Sequence, residues 1–544
     1  MPSMLAFSTF FKENLNVKPM LSLLVAGMFV FFPQAQKSDG KTIQWGEMER
    51  ASNWTGKILP KKGGDFFTIK AGKNTFLGSQ LFLSEINSLQ EKSTKRLDLK
   101  VNKSFAQYEG VITLNDELYV FLSDRTKEYY SIFLQKYSQD LKPSGEPMKI
   151  GSYEIERSRE KGEFKVVQSE NGKFFGAVWN VPGKKEMKDG YGFKILDQEM
   201  NEVSSGNYSF PYDPELCGES RHYLSNEGHY FLVTKEYQEG EKKFLRTELD
   251  HKALHLFQFS SDGFKEYTVD IEKRRIDRLV MRTNGDGEFV MSAVYGSERC
   301  SNAIGIFTFN LNIHSEIEPT SNFTPFDEEF IVRGMSKREL DEAQTCKKNG
   351  DGSPELCNYM LRDYTLLPNG KVVGSLEQYY VVESNASDPR GVTMQTSYMY
   401  FYNTIICFSI DQNGEFDWLQ KVPKVQMSRD DGGYYSSYAQ FNKEGKMMLF
   451  FNDDRRNYNE NEDYVALYED FSKKKRYNVM AMITIDHETG EMERKVLFSR
   501  KDIDAIGVPR KFKYDDNSEQ VILYANISNK EKFGLLNSNL IVQK

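Results

Sequence analysis

Residues 164–181 read FKVVQSENGKFFGAVWNV, and this stretch decides the fold. Two runs rich in Phe, Val and Trp flank Asn171-Gly172, a dipeptide that supplies the positive φ angles of a tight hairpin. Phe193–Leu196 follows as a third strand. The same order returns as His222–Leu224, Glu227-Gly228, Tyr230–Thr234, Leu254–Phe259 and the Ser261-Asp262-Gly263 turn. Seven such turns recur, at Asn115-Asp116, Asn171-Gly172, Glu227-Gly228, Asp286-Gly287, Asn369-Gly370, Glu444-Gly445 and Asp516-Asn517. The first four are spaced about 56 to 59 residues apart, and the later steps stretch to about 83, 75 and 72. A repeat of this length, made of hairpins and not helix pairs, predicts an all-β propeller over residues 62–544.

Seven blades are expected. Phe66–Val101 carries strand-like stretches (Gln80–Ser84, Arg96–Val101) and is expected to complete the last blade, closing the ring and removing edge strands. Read as a degenerate blade of its own, the same segment makes eight.

Aromatic residues make up 13% of the chain, which suits half-buried pleated surfaces. The formal charge is −8 with both signs interspersed. No basic tract exists to follow a phosphate backbone, which argues against nucleic acid. Met20–Phe32 is an uncharged apolar run, shorter than the roughly 20 residues of a membrane span. Lys12 and Lys18 precede it and Pro33-Gln34-Ala35-Gln36 follows, so residues 1–35 are expected to be a signal peptide and 36–61 a linker. The mature chain would then have no membrane span, and would lie in the periplasm, at the outer membrane or outside the cell. Export permits disulfides. Cys346 and Cys357 enclose a polar loop and are expected to pair, as are Cys217 and Cys300, leaving Cys407 as a buried thiol. No CxxC or Cys/His spacing supports zinc.

Long insertions are expected at 235–252, 321–358, 381–398 and 453–476, all in connections that open on one face, where a rigid scaffold usually binds. In 453–476, Val465, Leu467, Tyr468 and Phe471 would form one face of a short helix. Asn457, Asn459, Asn461 and Asp463 alternate as calcium-loop oxygens do, without the Gly and distal Glu of an EF-hand. No other cofactor is indicated.

Counting back seven to nine residues from each turn reaches Lys165, Arg221, Arg278, Arg362 and Arg510 at the start of five inner strands, with Glu109 and Tyr438 in the other two. Inner strands line a propeller's channel, so these residues are expected to form a basic collar or, more plainly, solvated strand ends. A collar would favour an anionic ligand through bidentate arginine contacts. Arg429, Asp430, Asp431 and Tyr434 are expected beside this mouth. Asp453, Arg455, Tyr458 and Tyr468 of the 453–476 insertion complete the candidate binding set.

Asp411–Trp418 reads DQNGEFDW, similar to the D-x-x-G…W blade ending of quinoprotein-type propellers and to a stretched sialidase Asp-box. Both are structural hairpins in those families. With its turns and leader, the chain resembles secreted seven-bladed β-propellers, particularly envelope proteins of Bacteroidota. That resemblance implies architecture and not activity.

Only six histidines occur, and there is no Gly-x-Ser-x-Gly elbow, HExxH or phosphate loop. His251 and His255 lead straight into a strand. Asp430, Asp431, Asp453 and Asp454 are the carboxylates from which a glycosidase site would be built. The expected role is an exported, non-enzymatic scaffold or accessory subunit that binds another envelope protein. The alternative is a glycan-binding protein or a sialidase-like hydrolase acting on an acidic glycan.

Overall fold

The computed structural model describes residues 35–38, 41–51, 53–72, 80–101, 103–155, 162–181, 190–243, 246–297, 303–335, 337, 340–341, 355–387 and 394–537. The proposed leader, apart from Ala35, lies outside these residues, as do Cys300 and Cys346 and with them both disulfide pairings.

The chain is an all-β propeller of eight blades, one more than the seven turns suggest. Seven blades are continuous antiparallel four-stranded units, beginning with blade 1 (Trp54–Pro60, Phe66–Ala71, Leu81–Asn87, Gln90–Arg96). Blades 2 to 7 open on the inner strands Gln107–Leu114, Glu163–Gln168, Cys217–Leu224, Arg275–Thr283, Tyr359–Leu366 and Tyr438–Lys443. Blade 8 takes Lys513–Asp515, Gln520–Ile527 and Lys530–Asn537 from the C-terminal end and Lys41–Trp45 from the N-terminal end. Ile43 pairs with Leu536 and Trp45 with Gly534, so the ring is closed by joining the two ends of the chain.

Two expectations are corrected here. Phe66–Arg96 belongs to a full first blade, as the eight-blade alternative has it, and does not complete the last one. Residues 36–61, expected as a linker, carry both the closing strand and the inner strand of blade 1. The hairpin turn of blade 1 is Lys62–Gly64, where Gly63 and Gly64 take φ of 85° and 83°.

Alternation along each strand buries one face against the preceding blade and the other against the following one. The buried apolar side chains accordingly sort into eight clusters, one at each seam. Leu83 meets Val120 between blades 1 and 2, Phe231 meets Phe289 between 4 and 5, and Cys407 meets Leu449 between 6 and 7. The ring-closing seam holds Phe66 and Tyr524, with the Phe66 and Phe533 rings 5.0 Å apart. Burial pushes the Cys407 thiol well above its usual range, consistent with an inert core thiol. Trp418 docks on the next blade, its Nε1 donating to the His487 carbonyl at 2.8 Å, as the hairpin reading expects.

Two insertions are strands and not loops. The described residues of 381–398 prolong the blade 6 hairpin Val372–Ser387/Met394–Ile410, and those of 235–252 prolong Tyr230–Lys243/Arg246–Ser260. The described part of 321–358 contains the end of an outer strand and a helix of one turn, Glu328–Val332, capped by Asp327. Among the described residues no helix is long and apolar enough to cross a membrane.

Candidate functional site

Propeller channels are lined by inner strands, and here five of those strands slip register near their starts. The slips fall between Thr55 and Lys57, Tyr108 and Gly110, Gly218 and Arg221, Asp277 and Val280, and Leu361 and Asp363. A bulge leaves a residue out of the ladder and re-aims its side chain. Arg278 and Arg362 occupy bulges, and Arg221 directly follows one. Arg278 takes φ of 50°, a left-handed conformation that is strained for arginine.

The arginines of blades 4 and 6 act on the one between them, Arg278 of blade 5. Arg278 is held below the usual guanidinium range by burial, then by the charges of Arg362 and Arg221. Its neighbour Asp277 is engaged by Arg275 at 2.6 Å, and among the described residues no carboxylate pairs with Arg221 or Arg278. Arg362 is anchored from behind, its Nε donating to Glu377 Oε2 at 2.8 Å. Glu377 is fully buried and also receives Lys424 Nζ at 2.8 Å and Ser437 Oγ at 2.8 Å. Burial would raise its carboxyl, but Lys424 and Arg362 hold it low.

Aromatic rings continue the arc. The Arg362 guanidinium lies 5.6 Å from the Tyr379 ring and 5.9 Å from Tyr402, rings that are 4.7 Å apart. Arg510 approaches the same Tyr402 ring at 5.6 Å. It sits in a 3-10 turn (Pro509–Lys511) ahead of the blade 8 strand, and its Nη2 donates to the carbonyls of Gly432, at 3.1 Å, and Gly433. The loop of residues 429–435 therefore lies against Arg510. Tyr434 packs edge-on against Trp54 of blade 1 at 4.8 Å and accepts from Asn526 Nδ2 at 3.0 Å. Asp430 accepts the Tyr398 backbone N–H at 2.7 Å, and Asp431 pairs with Lys473 at 2.7 Å. Arg429 ends a short strand paired to Met399 and is exposed.

At the other end of the arc Lys165 pairs with Glu163 at 2.8 Å. It also lies 3.5 Å from His222 Nε2, across a cavity of about 50 Å³ lined by Asn180, Tyr191 and Ser220 as well. His222 Nδ1 is hydrogen-bonded to the Tyr230 hydroxyl at 2.8 Å. Burial, then Lys165 and Arg221, hold its imidazole down to about 3. The unfolded chain takes up this proton from pH 6.5 downward and the native one only near pH 3, so stability falls as pH drops through that window. The slope is about 1.4 kcal/mol per pH unit for one such group. Urea unfolding at pH 7, 5.5 and 4.5 should show His222→Gln with a shallower acid loss than the wild type.

Three candidates are corrected. Tyr438 is buried, its hydroxyl 2.6 Å from Ser375 Oγ, and does not line the mouth. Asp453 and Tyr458 are also buried: Asp453 pairs with Arg494 and accepts from the Tyr458 hydroxyl at 2.6 Å. The segment 465–471 is not helical. It wraps around the buried Asn457, whose Oδ1 accepts the N–H groups of Tyr468 and Glu469 at 2.8 and 2.9 Å. Asn459 Oδ1 accepts the Asp463 N–H at 2.9 Å. The oxygens read as calcium ligands thus include two that hold the loop together. Arg455 donates to the Asn459 carbonyl at 2.7 Å, while Tyr468 stands exposed. Asp454 pairs with Arg456 at 2.8 Å, so each of the four carboxylates considered for hydrolysis already has a partner.

The opposite mouth is a larger cavity, about 370 Å³, lined by turns of blades 8, 1, 2 and 3. Its charges are mixed, with Lys57, Lys62 and Lys513 beside Asp116, Glu170 and Asp516. Glu170 is paired with Arg282 at 2.8 Å.

The arc contains groups that the turn count does not mark, namely Tyr379, Tyr402, Trp54, His222 and the supporting pair Glu377 and Lys424. Their only local signal is aromatic or charged identity in or beside a strand, which many other positions share.

No protein-family model matches the chain, and no curated protein matches it in sequence. Among solved structures, the WD40 domain of SCAP from fission yeast aligns over 91% of this chain and 94% of its own, at 9% identity and TM-score 0.40. Polysaccharide lyase Uly1 covers 81% of this chain and 92% of its own, at 10% identity and TM-score 0.32. An α-L-arabinanase of Penicillium chrysogenum, complexed with arabinobiose, covers 61% and 94%, at 10% identity and TM-score 0.31. At these values the likenesses say nothing about activity.

Proposed function

We propose that this protein is a non-enzymatic recognition propeller, exported to the cell envelope, whose arginine-lined mouth captures a carboxylate-bearing ligand. One observation carries this reading: Arg221, Arg278 and Arg362 stand at or directly after inner-strand bulges of three consecutive blades, and among the described residues no carboxylate pairs with the first two. Like charges held close by strained backbone are stabilised by an anion, and guanidinium groups meet carboxylates with two parallel hydrogen bonds. An envelope partner presenting an acidic segment would satisfy the site, as would an acidic glycan.

Titration with carboxylated oligomers at low and at physiological ionic strength tests it. Wild-type affinity should fall with salt. The Arg221→Ala/Arg278→Ala double variant should bind at least about a hundredfold more weakly, since each charge-assisted contact contributes about 1.5 kcal/mol or more. Undiminished binding by the double variant would place the ligand elsewhere.

A further inference from the structure

We infer that the ligand of the mouth is a uronic-acid-containing oligosaccharide and that Trp54 is its stacking platform. This rests on the anion-binding reading of the arginine arc.

The chain has four tryptophans. Trp45, Trp179 and Trp418 are core residues at 6%, 5% and 8% exposure, whereas Trp54 is 50% exposed. Trp54 opens the inner strand of blade 1, so its indole stands at the mouth of the channel. Its place is fixed from two sides. The Tyr434 ring meets it perpendicularly, at 89°, and is itself tethered to Asn526. Lys511 of blade 8 donates to the carbonyl of Gly56, two residues along the same strand, at 2.6 Å. A large apolar ring held in place with half its surface in water is what a stacking contact uses.

The cation is held by the loop that carries Tyr434. Arg510 is bound to the carbonyls of Gly432 and Gly433, directly before Tyr434, and these donor contacts use one of its terminal nitrogens. Gly432 takes φ of 63°, and nothing lies within 4 Å of where its Cβ would stand, so the loop crest is open. Indole and guanidinium are thus set side by side by residues 432–434.

A uronate ring matches this pair of groups. It offers a rigid face of C–H bonds for the indole and a carboxylate, fixed to the same ring, for the guanidinium. An acidic peptide offers the carboxylate on a flexible chain and no such face. Arg362, Arg278 and Arg221 continue beyond the Tyr402 ring, which favours a ligand with repeated carboxylates over a single sugar.

The test uses full-length mature protein with uronate trimers (galacturonate, mannuronate and glucuronate-containing) and a triglutamate peptide of equal charge. Calorimetry and tryptophan emission are read together. At least one uronate trimer should bind and change the emission, because Trp54 is the exposed indole. Trp54→Phe should abolish the emission change, and Trp54→Ala should weaken binding about tenfold. Triglutamate should bind more weakly than the best trimer and leave the emission unchanged. If triglutamate binds as tightly as any trimer, or Trp54→Ala leaves trimer affinity intact, the sugar assignment is wrong while the arginine arc stands. If neither class binds even at low salt, the anion-binding reading fails, and the sugar assignment with it.

Discussion

Arg494→Met is expected to lower stability by about 3 to 5 kcal/mol, because it strands a buried carboxylate. Arg494 and Asp453 are each only 3% exposed. The guanidinium is also tied to the Tyr458 hydroxyl at 3.0 Å and the Pro423 carbonyl at 2.6 Å, and it lies 3.9 Å from the Tyr464 ring. In the variant Asp453 keeps only Tyr458 and Asn457 as side-chain donors. Urea unfolding of both proteins at pH 7 reads the deficit directly. A variant as stable as the wild type at pH 7 would mean that the pair contributes nothing. The double change Arg494→Met/Asp453→Leu should recover much of the loss, since it removes both charges.

The second large effect belongs to the ring-closing seam. Lys70 of blade 1 reaches Glu531 of blade 8, and their side chains are 5% and 2% exposed. Glu531 also accepts from Thr55 at 3.0 Å and Tyr524 at 2.9 Å, while Lys70 meets Glu91 as well. Burial opposes the charge on Lys70, but Glu531 and Glu91 hold its pKa above the ordinary 10.5. Its contribution is therefore whole below pH 10.5 and is lost as pH rises through the higher folded value. Glu91 is lowered from 4.5: burial opposes the shift, but hydrogen bonding to Lys70 outweighs it, so its share is lost as pH falls below 4.5. Between those limits Lys70→Met should destabilise by about 3 to 5 kcal/mol. Because this seam joins the two ends of the ring, limited proteolysis should also cut the variant faster near residues 41–60 than elsewhere. Unchanged melting and unchanged cleavage would show that apolar packing alone, as at Phe66 and Phe533, closes the ring.

The propeller was legible because its turn chemistry is local. Asn171-Gly172 and its counterparts need positive φ wherever they stand, and the apolar runs beside them need a pleated surface to bury. The eighth turn was legible too. Lys62–Gly64 carries the paired glycines of such a turn, about one repeat before Asp116, but it stands at the edge of the stretch read as linker, so its first strand went uncounted. The collar positions followed from the same local count, which placed Arg221, Arg278 and Arg362 on inner strands of three consecutive blades. The count failed at Tyr438, where the inner strand keeps register and its side chain turns into the core.

Other features were decided only by tertiary structure. Asp453 and Tyr458 look like surface residues of an acidic insertion, yet Arg494, some forty positions later, draws both inside. Trp54 and Arg510 lie at opposite ends of the chain, and nothing near either one signals the other. They become neighbours because the ring closes, with Lys41–Trp45 completing the blade that Arg510 begins. Residues themselves dictate turns, strand faces and charge type, because these depend on a few adjacent side chains. Which charges stay unpaired at the mouth depends on how eight separate sheets meet, and only the closed ring sets that.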